Sequence, residues 1–161
     1  MSESHTHAPT GPPRGPVSDA TGADAPRPQG AYRAAVVDGG LAMSAGMTPR
    51  IGGRLTVTGV VGRDVDAAAA HEAAGVAARN ACAAIVAELG DAARLRRFLR
   101  MTVHVACTEE FHALSAVADG ASAALLAAAP GAGLPVRSAI GVRSLPSGAP
   151  VEVELTAAVT P

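Results

Sequence analysis

Lysine is absent from this sequence; all thirteen basic residues are arginine. That excludes a Schiff base to substrate, a pyridoxal-phosphate anchor and a phosphate-loop lysine. Tryptophan is absent too, and Tyr32, Phe98 and Phe111 are the only aromatic residues. The core must therefore be built from Ala and Val, whose small side chains bury little area each. A chain of this length forms one domain, and a core so thin gains from subunit contacts, so an oligomer is expected. Cysteine is scarce: Cys82 and Cys107 form no CxxC and read as reduced thiols. No apolar run approaches a membrane span, and the N-terminus lacks the charged-then-apolar pattern of a signal peptide. A cytoplasmic location with no membrane partner is the expectation. The net charge of −1 gives no general attraction to nucleic acid. Also missing are GxGxxG after a strand, GxxxxGK, HExxH and GxSxG. What remains for chemistry is arginine, carboxylates, backbone amides and one tyrosine.

The chain begins with residues 1–29, rich in Pro, Gly, Ser, Thr and acid and without periodicity, which read as a mobile tail. His5 and His7 lie there and carry no metal expectation. The ordered domain is expected over residues 30–161. Tyr32 to Val37 and Leu41 to Gly46 flank Asp38-Gly39-Gly40, a hairpin signal. A loop with Pro49 and Gly52-Gly53 leads to a short strand over Arg54 to Thr58. Asp64 or Asp66 caps a long helix that Gly90 ends. Its small-residue face, with Ala69, Ala73, Val76, Ala77, Asn80 and Ala84, should lie on a sheet, with His71 and Glu72 toward solvent. Phe98 to Ala106 alternates as a strand and carries His104, read as a core or interface histidine. Arg94, Arg96, Arg97 and Arg100 beside it form a solvated basic edge with no interleaved aromatics for base stacking. Ser115 to Ala129 is a second helix.

The most informative stretch is Pro135 to Val159. Two alternating segments, Val136 to Val142 and Val151 to Val159, flank a Leu-Pro turn and read as a hairpin. Arg137 would then share a face with Glu152 and Glu154 on the neighbouring strand. The element order predicts an α+β fold: one mostly antiparallel sheet with two helices packed on one face.

These residues carry a resemblance. Gly30-Ala31-Tyr32, Ser44-Ala45-Gly46-Met47-Thr48-Pro49, Val117-Ala118-Asp119-Gly120-Ala121-Ser122, and Val136-Arg137-Ser138-Ala139 with Val151-Glu152-Val153-Glu154 resemble the reactive-intermediate deaminase (Rid, YjgF-like) family, in its longer, less characterised branch. The resemblance runs from about Gly30 to Val159. It implies a chorismate-mutase-like fold, a homotrimer and clefts between subunits. It implies hydrolysis of enamines and imines to a 2-oxo acid and ammonia, with no cofactor and no metal. Arg137 matches the arginine that grips the substrate carboxylate, and Glu152 the glutamate that positions water. Tyr32 matches the tyrosine lining the cleft, and Gly46 the glycine whose backbone faces substrate. Asp119 falls among the substrate-binding positions, near one where the family has asparagine. Ala45 stands where serine is usual and Ala139 where cysteine is common, which removes hydrogen-bonding groups. The alternative is a non-catalytic trimer that binds small carboxylates and regulates or scaffolds another enzyme.

Overall fold

The computed structural model describes residues 27–161. The N-terminal stretch read as a tail lies outside these residues, apart from its last three positions. The chain opens with β1 (Ala35–Asp38) and β2 (Leu41–Ser44), then a two-residue pair β3 (Arg50–Ile51) and β4 (Arg54–Leu55). Helix α1 (Ala67–Leu89), strand β5 (Leu95–Ala106), helix α2 (Leu114–Ala128), and strands β6 (Val136–Val142) and β7 (Val151–Val159) follow. Both early turns are set by glycine pairs: Gly39-Gly40 and Gly52-Gly53 all have positive φ, the backbone a tight hairpin needs. The expected single strand after the loop is thus a second, miniature hairpin.

Five strands form one sheet in the order β1-β2-β7-β5-β6; all neighbours are antiparallel except β5 and β6. Both helices cover one face, as expected of an α+β fold. Asp66 caps α1, its carboxylate accepting from the Ala69 amide at 2.8 Å, and Gly90 ends the helix in a left-handed turn. Ala70, Ala73, Ala74, Ala77, Ala78 and Ala81 are all buried, so α1 lies close to its neighbours. Gly75 meets α2 at Gly120, where helix backbones come into near contact. His71 is half-buried rather than solvated, because its Nδ1 bonds the Ala116 carbonyl of α2 at 2.8 Å. Phe98, Ile85, Met101, Leu125 and Leu155 supply the bulk of the core beneath the helices.

The expected hairpin between β6 and β7 does not form. β5 lies between them, pairing with β7 on one side and with β6 on the other. Both segments are strands, as their alternation predicts, but they are not neighbours. A strand–helix–strand crossover through α2 lays β6 parallel to β5, and the Arg143–Pro150 connection then crosses β5 to start β7. β5, the longest strand, thereby lies between them. Faces change with neighbours. Arg137 registers with Met101, a fully buried helix-side residue. Glu152 registers with His104 on the opposite, open face. Arg137 and Glu152 therefore do not share a face of their own sheet.

No element among the described residues covers the open face. Val36, Leu41, Met43, Val136 and Ile140 stand between 40% and 67% exposed on it or at its edges.

Candidate functional site

Two half-sites carry the residues singled out by sequence. The first is built on β7. Glu152 follows Val151 and precedes Val153, both fully buried, so the strand's alternation aims the carboxylate at the open face. Beside it runs Ala45-Gly46-Met47, pinned to β7 by a reciprocal pair of backbone bonds: Met47 N to Val153 O and Val153 N to Met47 O, each 2.9 Å. The Leu155 amide adds a 3.0 Å bond to Ser44 Oγ. This brings the Gly46 main chain onto the Glu152 carboxyl. A Cβ at Gly46 would fall 2.5 Å from Glu152 Oε1 and 2.6 Å from its Cδ. Glycine is needed here for approach, not for backbone angle.

Burial pushes the Glu152 carboxyl above its ordinary value; Glu154, two residues along the same face, pushes the same way, and His104 across the strand pair pushes back. A half-buried carboxylate of this kind holds a proton more readily than an exposed one, which suits it to take and return one. Tyr32 approaches from the same end of the sheet. The Ala45 amide bonds the Ala34 carbonyl at 2.8 Å, extending the β1–β2 ladder, and Tyr32 stands two residues ahead of Ala34. Its ring is half exposed, and its hydroxyl accepts from the Gln29 amide at 3.2 Å.

The second half-site is built on β6 and α2. Arg137 lies on the helix side of the edge strand. Its Nη1 donates to Asp119 Oδ1 and to Ser122 Oγ, each at 2.8 Å. Asp119 and Ser122 are one helical turn apart, so both face the same strand. The guanidinium is largely covered while Asp119 remains 63% exposed. Among the described residues, Nε and Nη2 of Arg137 have no hydrogen-bond partner, so one edge of the fork is free for a carboxylate.

Arg137 and Asp119 are thus brought together, as are Gly46 and Glu152. The two pairs are not brought together within one copy. Sequence reasoning missed Ser122 as a partner of Arg137; its spacing from Asp119 was the available signal. It also left His104 unlinked to Glu152, a link that depends on the β5–β7 register. Among the described residues no three His, Cys, Asp or Glu side chains cluster to hold a metal ion, and no helix is long and apolar enough to cross a membrane.

Comparison with known proteins adds four findings. The family model described as Endoribonuclease L-PSP matches residues 22–159. Protein TCP17 of Trypanosoma cruzi is 37% identical over 114 residues; that match takes in 67% of this chain and 62% of TCP17, so the chain spans under two thirds of that relative. The crystal structure of Atu1372 from Agrobacterium tumefaciens, a protein of unknown function, superposes with a TM-score of 0.78 at 35% identity, over 81% of this chain and 82% of Atu1372. E. coli TdcF with bound serine shares the fold at a TM-score of 0.62 and 22% identity, over 85% of this chain and 94% of TdcF.

Proposed function

Because the chain belongs to the endoribonuclease L-PSP family, the group of the YjgF-like Rid proteins, we propose that it hydrolyses imines and enamines derived from amino acids. The products are a 2-oxo acid and ammonia. The observation that carries this reading is the half-buried Glu152 carboxyl, pressed against the Gly46 backbone with its affinity for protons raised. The serine held by E. coli TdcF supports a small amino- or oxo-acid as the ligand class.

Chemically, the free edge of Arg137 grips the substrate carboxylate in a planar, bidentate fashion. An enamine first tautomerises to its imine. Glu152 accepts a proton from water as the water oxygen bonds to the carbon of the protonated imine, giving a neutral carbinolamine. The protonated carboxyl returns that proton to nitrogen, the C–N bond breaks and ammonia departs, and the hydroxyl proton passes to the Glu152 carboxylate and on to water as the carbonyl forms. Imines hydrolyse readily, so positioning supplies most of what is required. Tyr32 lines the cleft beside Glu152.

Within one copy Arg137 and Glu152 project from opposite faces of the sheet, two strands apart. The reading therefore requires that one copy supply Arg137, Asp119 and Ser122 while another supplies Glu152, Gly46 and Tyr32. A homotrimer with clefts between subunits meets that requirement. The apolar residues on the open sheet face, uncovered among the described residues, support such an assembly. The unpaired Cys82 and Cys107 fit a reducing cytoplasm.

The Asp119 carboxylate already resting on Arg137 favours a second reading, a trimer that binds small carboxylates without turning them over. One experiment decides. An imine is generated in situ and ammonia release is followed with wild-type protein, Arg137→Ala and Glu152→Gln. The deaminase reading expects acceleration by wild type and a loss of at least about 100-fold in each variant. Unchanged rates in the variants would remove these residues from the mechanism. Tight 2-oxo acid binding with no turnover would establish the second reading.

A further inference from the structure

We propose that Asp119 determines the ligand class of the Arg137 half-site. With the guanidinium it forms a charge-neutral clamp that favours a zwitterion, a carboxylate beside a cationic nitrogen, over a bare 2-oxo acid. The inference rests on the reading of Arg137 as the grip on the ligand's carboxylate.

The charges of the crossover unit are few. Helix α2 contains one charged residue, Asp119, and strand β6 contains one, Arg137. The fold brings these two together at 2.8 Å. Ala139 and Gly141, which follow Arg137 on the helix side of β6, bring no charge. Hydrogen bonding does not demand an acid at 119. Ser122 Oγ accepts from the same Nη1 at the same 2.8 Å, and an asparagine oxygen would serve the second N–H of that nitrogen as well. What aspartate adds is its charge. Stability gives no reason for that charge either: the Arg137 side chain is 23% exposed and that of Asp119 63%, and a pair so open adds little to the fold. Among the described residues only Oδ1 of Asp119 is engaged, so Oδ2 is free to act on a ligand.

A 2-oxo acid brings one negative charge to a half-site that already holds a carboxylate. Arg137 attracts it and Asp119 repels it. An amino acid, or the protonated imine made from one, carries a positive nitrogen on the carbon next to its carboxylate. Asp119 attracts that nitrogen while Arg137 attracts the carboxylate, so both charges of the clamp are used. The same balance holds along the proposed reaction. The protonated imine is a zwitterion; once ammonia carries the nitrogen away, the 2-oxo acid left behind is an anion. Asp119 thus favours substrate over product and hastens the product's exit. A substrate with a second carboxylate is disfavoured for the same reason.

The test is calorimetric binding to the full chain of two probes with the same carbon skeleton, L-alanine and pyruvate. Wild type, Asp119→Asn and Arg137→Ala are compared. Wild type should bind L-alanine at least about threefold more tightly than pyruvate. In Asp119→Asn the Kd for L-alanine should rise about threefold and that for pyruvate fall about threefold, the range an exposed charge supplies, so the preference changes about tenfold. A purely structural Asp119 would shift both affinities in the same direction, and that result, or an unchanged preference, overturns the proposal. Arg137→Ala should weaken both probes at least about tenfold, since both carboxylates lose their grip. If it does so while Asp119→Asn keeps the wild-type preference, only the Asp119 inference fails. If Arg137→Ala binds both probes as wild type does, or wild type binds neither, the reading of Arg137 fails and takes this inference with it. Should Asp119→Asn not fold, Asp119→Ser carries the same comparison, with the same opposite shifts expected and a shared shift overturning the proposal.

Discussion

Replacing Gly46 with alanine should separate stability from catalysis. The backbone at this position has no positive φ, so alanine fits its angles. The new methyl would instead lie 2.5 Å from Glu152 Oε1, 2.6 Å from Cδ and 3.0 Å from Cγ, where ordinary contact begins at 3.4 Å. The carboxyl must retreat by about 0.9 Å, and it sits at the free end of a flexible side chain. Moving that end off its preferred rotamer costs about 1 kcal/mol, so the midpoint temperature should drop by only about 2–4 °C. For catalysis the same displacement is large: a misplacement of about 1 Å in a reacting group can cost about 100-fold. Ammonia release from an imine, read beside a thermal melt, should show that split. Turnover within about threefold of wild type would refute the claim that the Gly46 main chain positions Glu152. A collapse of the melt with proportionate loss of activity would refute it as well, by making the contact structural.

Gly120→Ala makes the contrasting case. Its methyl would meet the backbone carbonyl of His71, which cannot swing aside, so α1 and α2 must part. The expected loss is about 2 kcal/mol or more, visible in a denaturant melt; an unchanged midpoint would contradict the close helix packing. Asp119→Asn removes the counter-charge from Arg137 while leaving a hydrogen-bonding side chain. Asp119 is mostly exposed, so the fold should hardly change, and 2-oxo acid affinity measured by calorimetry should rise a few-fold. Weaker binding would mean that Asp119 orients the guanidinium rather than competing for it. Glu152→Gln has a signed pH dependence. The native carboxyl titrates above its ordinary value of 4.5 because burial disfavours its charge, so the native state loses stability as pH rises through that region. The variant should melt at a higher temperature than wild type at pH 7 and at a similar one near pH 3.5. Equal or lower stability at pH 7 would contradict the burial of that charge.

Much of this fold was legible in residue order. The Asp38-Gly39-Gly40 hairpin, the Asp66 cap, the Gly90 stop and the alternation of the last two strands all follow from local chemistry. The α+β class followed from element order. What alternation does not encode is which strands are neighbours. β6 and β7 each read as half-buried strands beside a turn, and the eye pairs them. The placement of β5 between them is decided by the crossover through α2 and by the central burial of Met101, Val103 and Val105. That one error carried the sidedness of Arg137 with it. Its apparent apolar companions Val136 and Ile140 face outward, and the arginine turns in against α2. The pairing of Gly46 with Glu152 was unreadable locally, because it depends on a contact between positions more than a hundred residues apart. The residue types of both half-sites were nonetheless present in the motifs, and Asp119 found its partner in Arg137.

The decisive observation is whether the two half-sites act across copies. Arg137→Ala and Glu152→Gln proteins, each inactive alone, are unfolded together, refolded as a 1:1 mixture and assayed. If each cleft joins Arg137 of one copy to Glu152 of another, random assembly restores about a quarter of the wild-type clefts and activity reappears at that level. If activity stays at the level of the separate variants although mixed oligomers have formed, no cleft is shared between copies and the proposed site is contradicted.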